Sequence, residues 1–200
     1  MPFACKLSFM PVQIGTTAHH FTEPTGLLSD CHRRIEMFLG TLEAVAGAID
    51  QPPMEDVRRA LESALRYFNQ AAPKHTADEE ESLFPRLRRI ANPEVTLTLS
   101  KLDELEAEHR WADPLHAEVE RIGVKYLSED KLSSEEVERF RTSVRDLRSM
   151  YERHIRLEDH VIFPWAARVL TRQDKSSVAE EMASRRKVKL VNLEDGKHGL

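Results

Sequence analysis

The sequence predicts an all-α fold, an up-down-up-down antiparallel bundle of four helices, and three observations predict it. Glycine is scarce, with 7 in 200 residues, and no Asn-Gly or Asp-Gly turn joins alternating β-branched residues. Apolar residues recur at three- and four-residue steps along four long segments, which is the period of one helix face. The connections between these segments are short, and short connections favour antiparallel neighbours.

The first two segments have clear boundaries. Helical periodicity covers Gly26–Ile49 and is stopped by Pro52 and Pro53. A second periodic run covers Met54–Ile90. Because Pro73 lies inside this run, we expect a kink or a short break there.

The third and fourth segments carry start signals. Asn92 and Pro93 have the pattern of a cap and a first helical position before the run 97–127. Two serines open the fourth segment, 133–170, and Glu136 lies three residues after the first of them, as in a capping box.

The pattern divides the chain into three parts. Residues 1–22 are predicted to be an irregular segment of unknown role, residues 23–171 the bundle, and residues 172–200 a polar tail. Within the tail, 177–187 is compatible with a short surface helix. Its basic end is too brief for a nucleic-acid patch, so we expect a solvated helix end.

Composition and charge exclude several classes of protein. With 29 basic and 34 acidic residues, the net charge of −5 offers no field for a polyanion, so nucleic acid is not expected as a partner. No apolar run is long enough to span a membrane, and the N-terminal apolar residues are too few for a signal peptide. Two cysteines, Cys5 and Cys31, form no disulfide framework. We expect a soluble cytoplasmic protein.

A repeated motif in the second and fourth segments points to chemistry. The sequences HTADEEESLFP, from His75, and HIRLEDHVIFP, from His154, share the pattern H-x-x-x-E-acid-x-x-apolar-F-P. Residues four apart lie on one helix face, so His75 and Glu79 point the same way, as do His154 and Glu158.

The other two segments carry the same spacing. His32 precedes Glu36 in the first segment, and His109 precedes Asp113 in the third, each by four residues. Any single pair of this kind is usually a surface pair, but four in helical register indicate metal binding. Imidazole and carboxylate groups on the core face of a bundle need a partner, and without thiolate they suit iron, manganese or zinc.

The donor count favours two metal ions over one. If two carboxylates bridge and four histidines bind once each, the protein supplies about eight of the roughly twelve bonds that two octahedral ions need. Solvent, an oxo or hydroxo bridge, an exogenous ligand, Glu36 or Asp113 would supply the rest. The sequence leaves Glu36 and Asp113 open between metal binding, support of a ligand and a surface role.

The order of histidine, H-x-x-x-E, histidine and H-x-x-x-E, with the trailing Phe-Pro pairs, resembles the hemerythrin-like (HHE cation-binding) family over about residues 24–170. The resemblance implies a four-helix bundle around two non-haem iron ions, oxo- or hydroxo-bridged. It implies terminal histidine ligands and two bridging glutamates, which are His32, His75, His109, His154, Glu79 and Glu158. Oxygen-carrying members have a second histidine where this chain has Asp113, a departure that favours oxidation over reversible oxygen carriage.

Simpler roles are expected for several other residues. Cys31, Trp111 and Trp165 are expected to be packing groups, and Phe84 and Phe163 to close the apolar wall around the site. Five further histidines are not expected to be ligands: His19, His20, His116, His160 and His198.

Three functions are compatible with this sequence. The first is a di-iron protein that binds dioxygen, another diatomic ligand or peroxide for sensing, storage or detoxification. The second, motivated by Asp113, is a redox enzyme acting on peroxide or nitric oxide, or a protein that donates iron to damaged centres. The third is a metal-free interaction module. The sequence does not indicate a protein partner or an oligomeric state.

Overall fold

A computed structural model describes residues 23–90 and 95–188, and the regular structure in these residues is helical throughout. The predictions for residues 1–22, for the cap at Asn92 and Pro93, and for the end of the tail lie outside the described residues.

The first two predicted segments form α1 to α4. The first is α1, Pro24–Ala48. The second is divided into α2, Glu55–Gln70, and α3, Ala72–Ala77, followed by a first π-helical turn, Asp78–Leu83, and α4, Phe84–Arg88.

The remaining segments form α5 to α8. The third segment is α5, Val95–Glu129. The fourth is divided into α6, Ser134–Leu157, a second π-helical turn, Glu158–Ile162, and α7, Phe163–Val169. The tail contains α8, Arg172–Arg185.

Two local signals act as the sequence predicts. Pro73 lies in the first turn of α3, where its missing N–H costs no helical hydrogen bond, and the helix is interrupted just before it. Ser133 caps α6: its hydroxyl accepts the backbone N–H of Glu136 at 3.2 Å, and Glu136 accepts the backbone N–H of Ser133 at 2.9 Å. The capping box fixes where the fourth segment begins.

The four long segments pack side by side around a divided core. α1 packs against α2 and α6, and α5 packs against the same two helices. Apolar side chains form two clusters, one containing Ile35 and Phe140 and the other Leu28 and Leu105. On α1, His32 lies between Leu28 and Ile35 in sequence, so polar side chains occupy the layer where the two clusters meet.

The helix in the tail differs from the expected solvated helix end. α8 begins five residues earlier than predicted, at its own capping box of Thr171 and Asp174. Its apolar side is buried, and Val178 and Met182 belong to the second apolar cluster. The apolar residues of α8 are spaced at the helical period in the sequence. The run is short and many charged residues surround it, so the sequence did not indicate a buried face.

Within residues 23–90 and 95–188, none of the helices combines the length and the apolar character needed to cross a bilayer.

Candidate metal centre

The six residues singled out by the sequence lie together in the interior. Their exposed fractions are between 0% and 7%. Each of the four long segments contributes one histidine, and the two segments that contain π-helical turns also contribute the glutamates. The residues are His32, His75, Glu79, His109, His154 and Glu158.

One group of donor atoms is built around His32 and His75. The Nε2 atom of His32 lies 3.1 Å from Oε2 of Glu158, and Nε2 of His75 lies 3.1 Å from Oε1 of Glu79. His32 Nε2 and Glu79 Oε1 are 3.9 Å apart. One donor atom from each of these four residues lies within 4.8 Å of the other three, a separation that one metal ion can span.

A second group is built around His109 and His154. Their Nε2 atoms lie 3.1 Å apart, and Nε2 of His109 lies 3.5 Å from Oε2 of Glu79. Glu79 therefore belongs to both groups, with Oε1 toward His75 and Oε2 toward His109. Glu158 meets His32 and His154 through the same oxygen, Oε2, the latter at 3.2 Å.

The cluster contains buried polar atoms that no side chain satisfies. Both carboxylate oxygens of Glu79, both of Glu158 and Nε2 of His32 lack a hydrogen-bond partner among the described residues. Leaving such groups unpaired in the interior costs several kcal/mol in general. Because the atoms are lone-pair donors arranged around common points, a bound cation satisfies them, and the residues present fit a metal ion.

The charges in the cluster are strongly coupled. Burial, together with the neighbouring carboxylate of Glu158, raises the pKa of Glu79 well above its ordinary value. Burial also opposes ionisation of Glu158, yet His154 holds the pKa of Glu158 well below the usual range. One carboxyl group is thus held neutral and the other charged, a difference that bound cations would remove by favouring both carboxylates.

Three of the four histidines are oriented by a carboxylate on Nδ1. Nδ1 of His32 lies 2.8 Å from Asp159, and Nδ1 of His109 lies 2.8 Å from Glu80. These acids are the ones that directly follow each glutamate in the repeated motif. The motif therefore included them, but the sequence alone did not indicate that they support histidines. Such contacts leave Nε2 free for a metal and raise the basicity of the ligand.

The histidine of the fourth segment also has a carboxylate on Nδ1, whereas the histidine of the second segment does not. Nδ1 of His154 lies 3.0 Å from Glu108, the residue before His109. In the described part of the chain, Nδ1 of His75 has no hydrogen-bond partner. The histidines of the two motif copies therefore have different surroundings.

Each glutamate of the motif lies in a wider turn of the backbone. The N–H of Phe84 donates to the carbonyl of Glu79, five residues back, and the N–H of Phe163 donates to that of Glu158. A five-residue step is the π-helical pattern, which frequently marks functional sites. In both copies a proline follows the phenylalanine and restarts the α-helix in its first turn.

One of the two phenylalanines of the motif, Phe163, lies against the cluster as expected. Phe84 and Phe163 are buried, and the ring of Phe163 stacks on that of His32 with centroids 5.2 Å apart. Phe163 contributes apolar surface beside His32, which limits the access of water, and Phe84 belongs to the second apolar cluster.

The residues that the sequence left open lie outside both donor groups. Glu36 is half-buried and pairs with Arg33 at 2.9 Å. Asp113 is exposed and lines a cavity of about 350 Å³ beside His109. His116 bonds to the hydroxyl of Tyr151 at 3.1 Å in the wall of this cavity.

The remaining expectations have mixed outcomes. His160 is exposed and apart from both donor groups. Cys31 is half-buried, and Trp165 packs against the second apolar cluster. The expectation that Trp111 is a packing group is wrong, because 49% of it is exposed. His19, His20 and His198 lie outside the described residues.

The fold and the buried donor groups define a helical protein with a candidate cation site, and comparisons with known proteins agree. The sequence profile of the Hemerythrin HHE cation binding domain matches residues 23–166. A Haemophilus influenzae protein, described as uncharacterized, is 29% identical to this chain over 170 residues, which are 84% of this chain and 93% of that protein. The chain belongs to the hemerythrin HHE cation-binding family.

Proposed function

We propose that this protein holds two non-haem iron ions in the buried cluster, bridged by Glu79 and Glu158. One ion is bound by His32 and His75, and the other by His109 and His154. The observation that carries the proposal is the position of Glu79, whose two carboxylate oxygens face different pairs of histidines. A carboxylate in this position holds two metal ions a few ångströms apart.

The proposed role is to bind iron and a small ligand such as dioxygen, another diatomic molecule or peroxide, for sensing, storage or detoxification. The donor set leaves coordination positions open, because the six residues supply fewer bonds than two octahedral ions take. The cavity beside His109 is lined by the exposed Asp113, and it offers such a ligand a path to the cluster.

A binding role is better supported than a redox enzyme. The enzymatic alternative depended on Asp113 as an additional anionic ligand that favours ferric iron. The structure places Asp113 outside both donor groups, on the exposed side of the cavity, so this motive for peroxide or nitric oxide chemistry is lost. We further propose that the four long segments run up-down-up-down and that the protein acts in the cytoplasm.

The experiment that tests the proposal is a metal count. Iron, manganese and zinc per chain are measured in protein purified without added metal and again after anaerobic loading with ferrous iron. We expect about two irons per chain. Admission of air should then produce the near-ultraviolet absorption of oxygen-bridged ferric iron.

Two double variants make the count specific. His75→Ala with His154→Ala removes one ligand from each ion and should leave little iron. His116→Gln with His160→Gln removes two histidines outside the donor groups and should retain the full amount. Little metal in the unaltered protein after ferrous loading, or equal iron in both variants, would contradict the proposed function.

A further inference from the structure

The first π-helical turn begins with a buried aspartate whose ion-pair partners lie outside the four long segments. Asp78, which precedes Glu79, is 0% exposed. Its Oδ1 lies 2.9 Å from Nη1 of Arg185, and its Oδ2 lies 2.6 Å from Nη2 of Arg186. Arg185 is the last residue of α8, and Arg186 directly follows it. A buried carboxylate requires such partners, because an unpaired charge in the interior is strongly unfavourable.

α8 contacts the same turn at further points. Arg185 also donates to the hydroxyl of Ser82 at 2.9 Å and to the carboxylate of Glu81 at 2.9 Å. Glu181 of α8 forms a two-point ion pair with Arg86, at 2.7 and 3.0 Å. The turn that carries Glu79 is therefore tied to α8 at Asp78, Glu81 and Ser82, and α4 is tied to α8 at Arg86. Charge-assisted contacts of this kind are stronger than neutral ones.

α8 also packs against α1, the helix that carries His32. Arg186, at the end of α8, interacts electrostatically with Cys31, the residue before His32. Arg186 therefore interacts with both Asp78 and Cys31. Each of these residues directly precedes a member of the donor cluster, Glu79 and His32 respectively.

The second motif copy is built differently at this position. Leu157 precedes Glu158, as Asp78 precedes Glu79, and it packs against the second apolar cluster. The charged support of the first turn is thus specific to Asp78 and to α8 and does not follow from the motif itself.

We propose that Asp78, Arg185 and Arg186 form a clasp that positions Glu79 and governs how fast the cluster exchanges metal. They are positioning residues, acting through the π-helical turn rather than on the metal. When the contact between Asp78 and the two arginines is lost, the turn loses its attachment to α8 and moves more freely, and Glu79 moves with it. The inference rests on the proposed function, since it assigns a control of metal release to the same cluster.

The first test examines the turn in the full-length, metal-free protein. Amide hydrogen exchange is measured for peptides covering Asp78–Leu83 and Glu158–Ile162, in the unaltered chain and in the double variant Arg185→Gln with Arg186→Gln. Exchange in the first turn should accelerate, whereas exchange in the second turn should stay unchanged. Equal acceleration in both turns, or none in the first, would overturn the clasp.

The second test measures release of iron from the loaded protein to a ferrous chelator. Changing a partner that supports a ligand typically costs about 10- to 100-fold in metal affinity, so we expect release to be faster by that factor in the double variant. Asp78→Asn should give a similar increase. Because the three residues act through one contact, the triple variant should be no faster than the faster of the two.

Controls separate positioning from general loss of stability. Arg141→Gln removes an ion pair with Asp50 and a hydrogen bond to Ala46, at the other end of α1 from His32, and should leave release unchanged. Thermal unfolding of each metal-free variant reports global stability. Faster iron release in the control, or release that follows the unfolding temperature alone, would overturn a positioning role.

The two tests distinguish failure of the clasp from failure of the proposed function. If the unaltered protein takes up no iron, the proposed function fails, and control of metal release fails with it, whatever the exchange data show. If the protein holds iron and the first turn exchanges faster without faster release, only the clasp's role is overturned.

Discussion

The two copies of the repeated motif end in the same backbone turn but rest on different neighbours. In the second copy, Glu108 bonds to Nδ1 of His154, and an apolar residue precedes the glutamate. In the first copy, Nδ1 of His75 has no partner in the described part of the chain, while Asp78 is held by two arginines. The comparison teaches that the motif sets where the donor atoms lie, whereas residues outside it set their charge and their freedom to move.

The largest expected difference is between the two glutamates. Glu79 uses both oxygens, one toward each pair of histidines, whereas Glu158 meets His32 and His154 through one oxygen. Glu79→Gln should therefore reduce bound iron from about two per chain to below about one, and Glu158→Gln should retain about one. Metal analysis after ferrous loading measures this. Equal losses would show that the two carboxylates have equivalent roles.

The two histidines should differ in how they titrate without metal. Burial opposes a charge on His154, but the carboxylates of Glu158 and Glu108 raise its pKa to about 9, from an ordinary value of 6.5. Burial, reinforced by the nearby His32, lowers the pKa of His75 well below that value. In the neutral range the folded metal-free protein thus carries a proton on His154 and none on His75.

The raised pKa of His154 makes the stability of the metal-free protein depend on pH. Because its pKa is raised on folding, His154 stabilises the metal-free protein fully below about pH 6.5, and the gain is lost as the pH rises through about 9. The effect is on the order of 3 kcal/mol, at about 1.4 kcal/mol per pKa unit. Urea unfolding across this range should show that His154→Gln removes the loss and that His75→Gln retains it. The same pH dependence in both variants would contradict the assignment.

Removing the carboxylate on Nδ1 of His154 should make this histidine resemble His75, which has no such carboxylate. Glu108→Gln removes the charge that supports His154 and should weaken metal binding about 10- to 100-fold, because the imidazole becomes a poorer ligand. Competition with a chelator measures the change in affinity. Glu106→Gln, which alters an acid two residues away that pairs with Arg88, is the matched control and should bind as the unaltered chain does. A similar loss in the control would remove the special role of Glu108.

The smallest effect is expected at the two acids that follow His32 and His109 by four residues. Glu36 is half-buried, Asp113 is exposed, and neither belongs to a donor group. Glu36→Gln and Asp113→Asn should leave the iron count unchanged and shift the free energy of unfolding by no more than about 0.5 kcal/mol. Loss of iron in either variant would show that the acid binds metal after all.

Much of the fold could be predicted from the sequence because its signals are local. The capping box at Ser133, the break at Pro73 and the four-residue step from His75 to Glu79 each involve neighbours in the chain, and their geometry follows from the α-helix. The family resemblance over the bundle is likewise confirmed by the match to residues 23–166.

The parts that escaped prediction depend on contacts between distant segments. Glu108 and Glu80 read as ordinary surface acids, and only the packing of α5 beside the two motif copies brings them to histidine nitrogens. Asp78 reads as one more acid in an acidic run, and its burial depends on arginines more than one hundred residues away. The π-helical turns had a local signal, a glutamate five residues before a Phe-Pro pair. It was missed because the motif was interpreted only through the four-residue step from histidine to glutamate.

The burial of α8 bears on where the folding unit ends. The match to the family stops at residue 166, before α8 begins at Arg172. A fragment cut at that boundary would lose Val178 and Met182 from the second apolar cluster and both arginines that neutralise Asp78. Such a fragment would expose apolar surface and leave a charge buried without its counterions. A fragment that keeps all of these contacts therefore extends at least to Arg186.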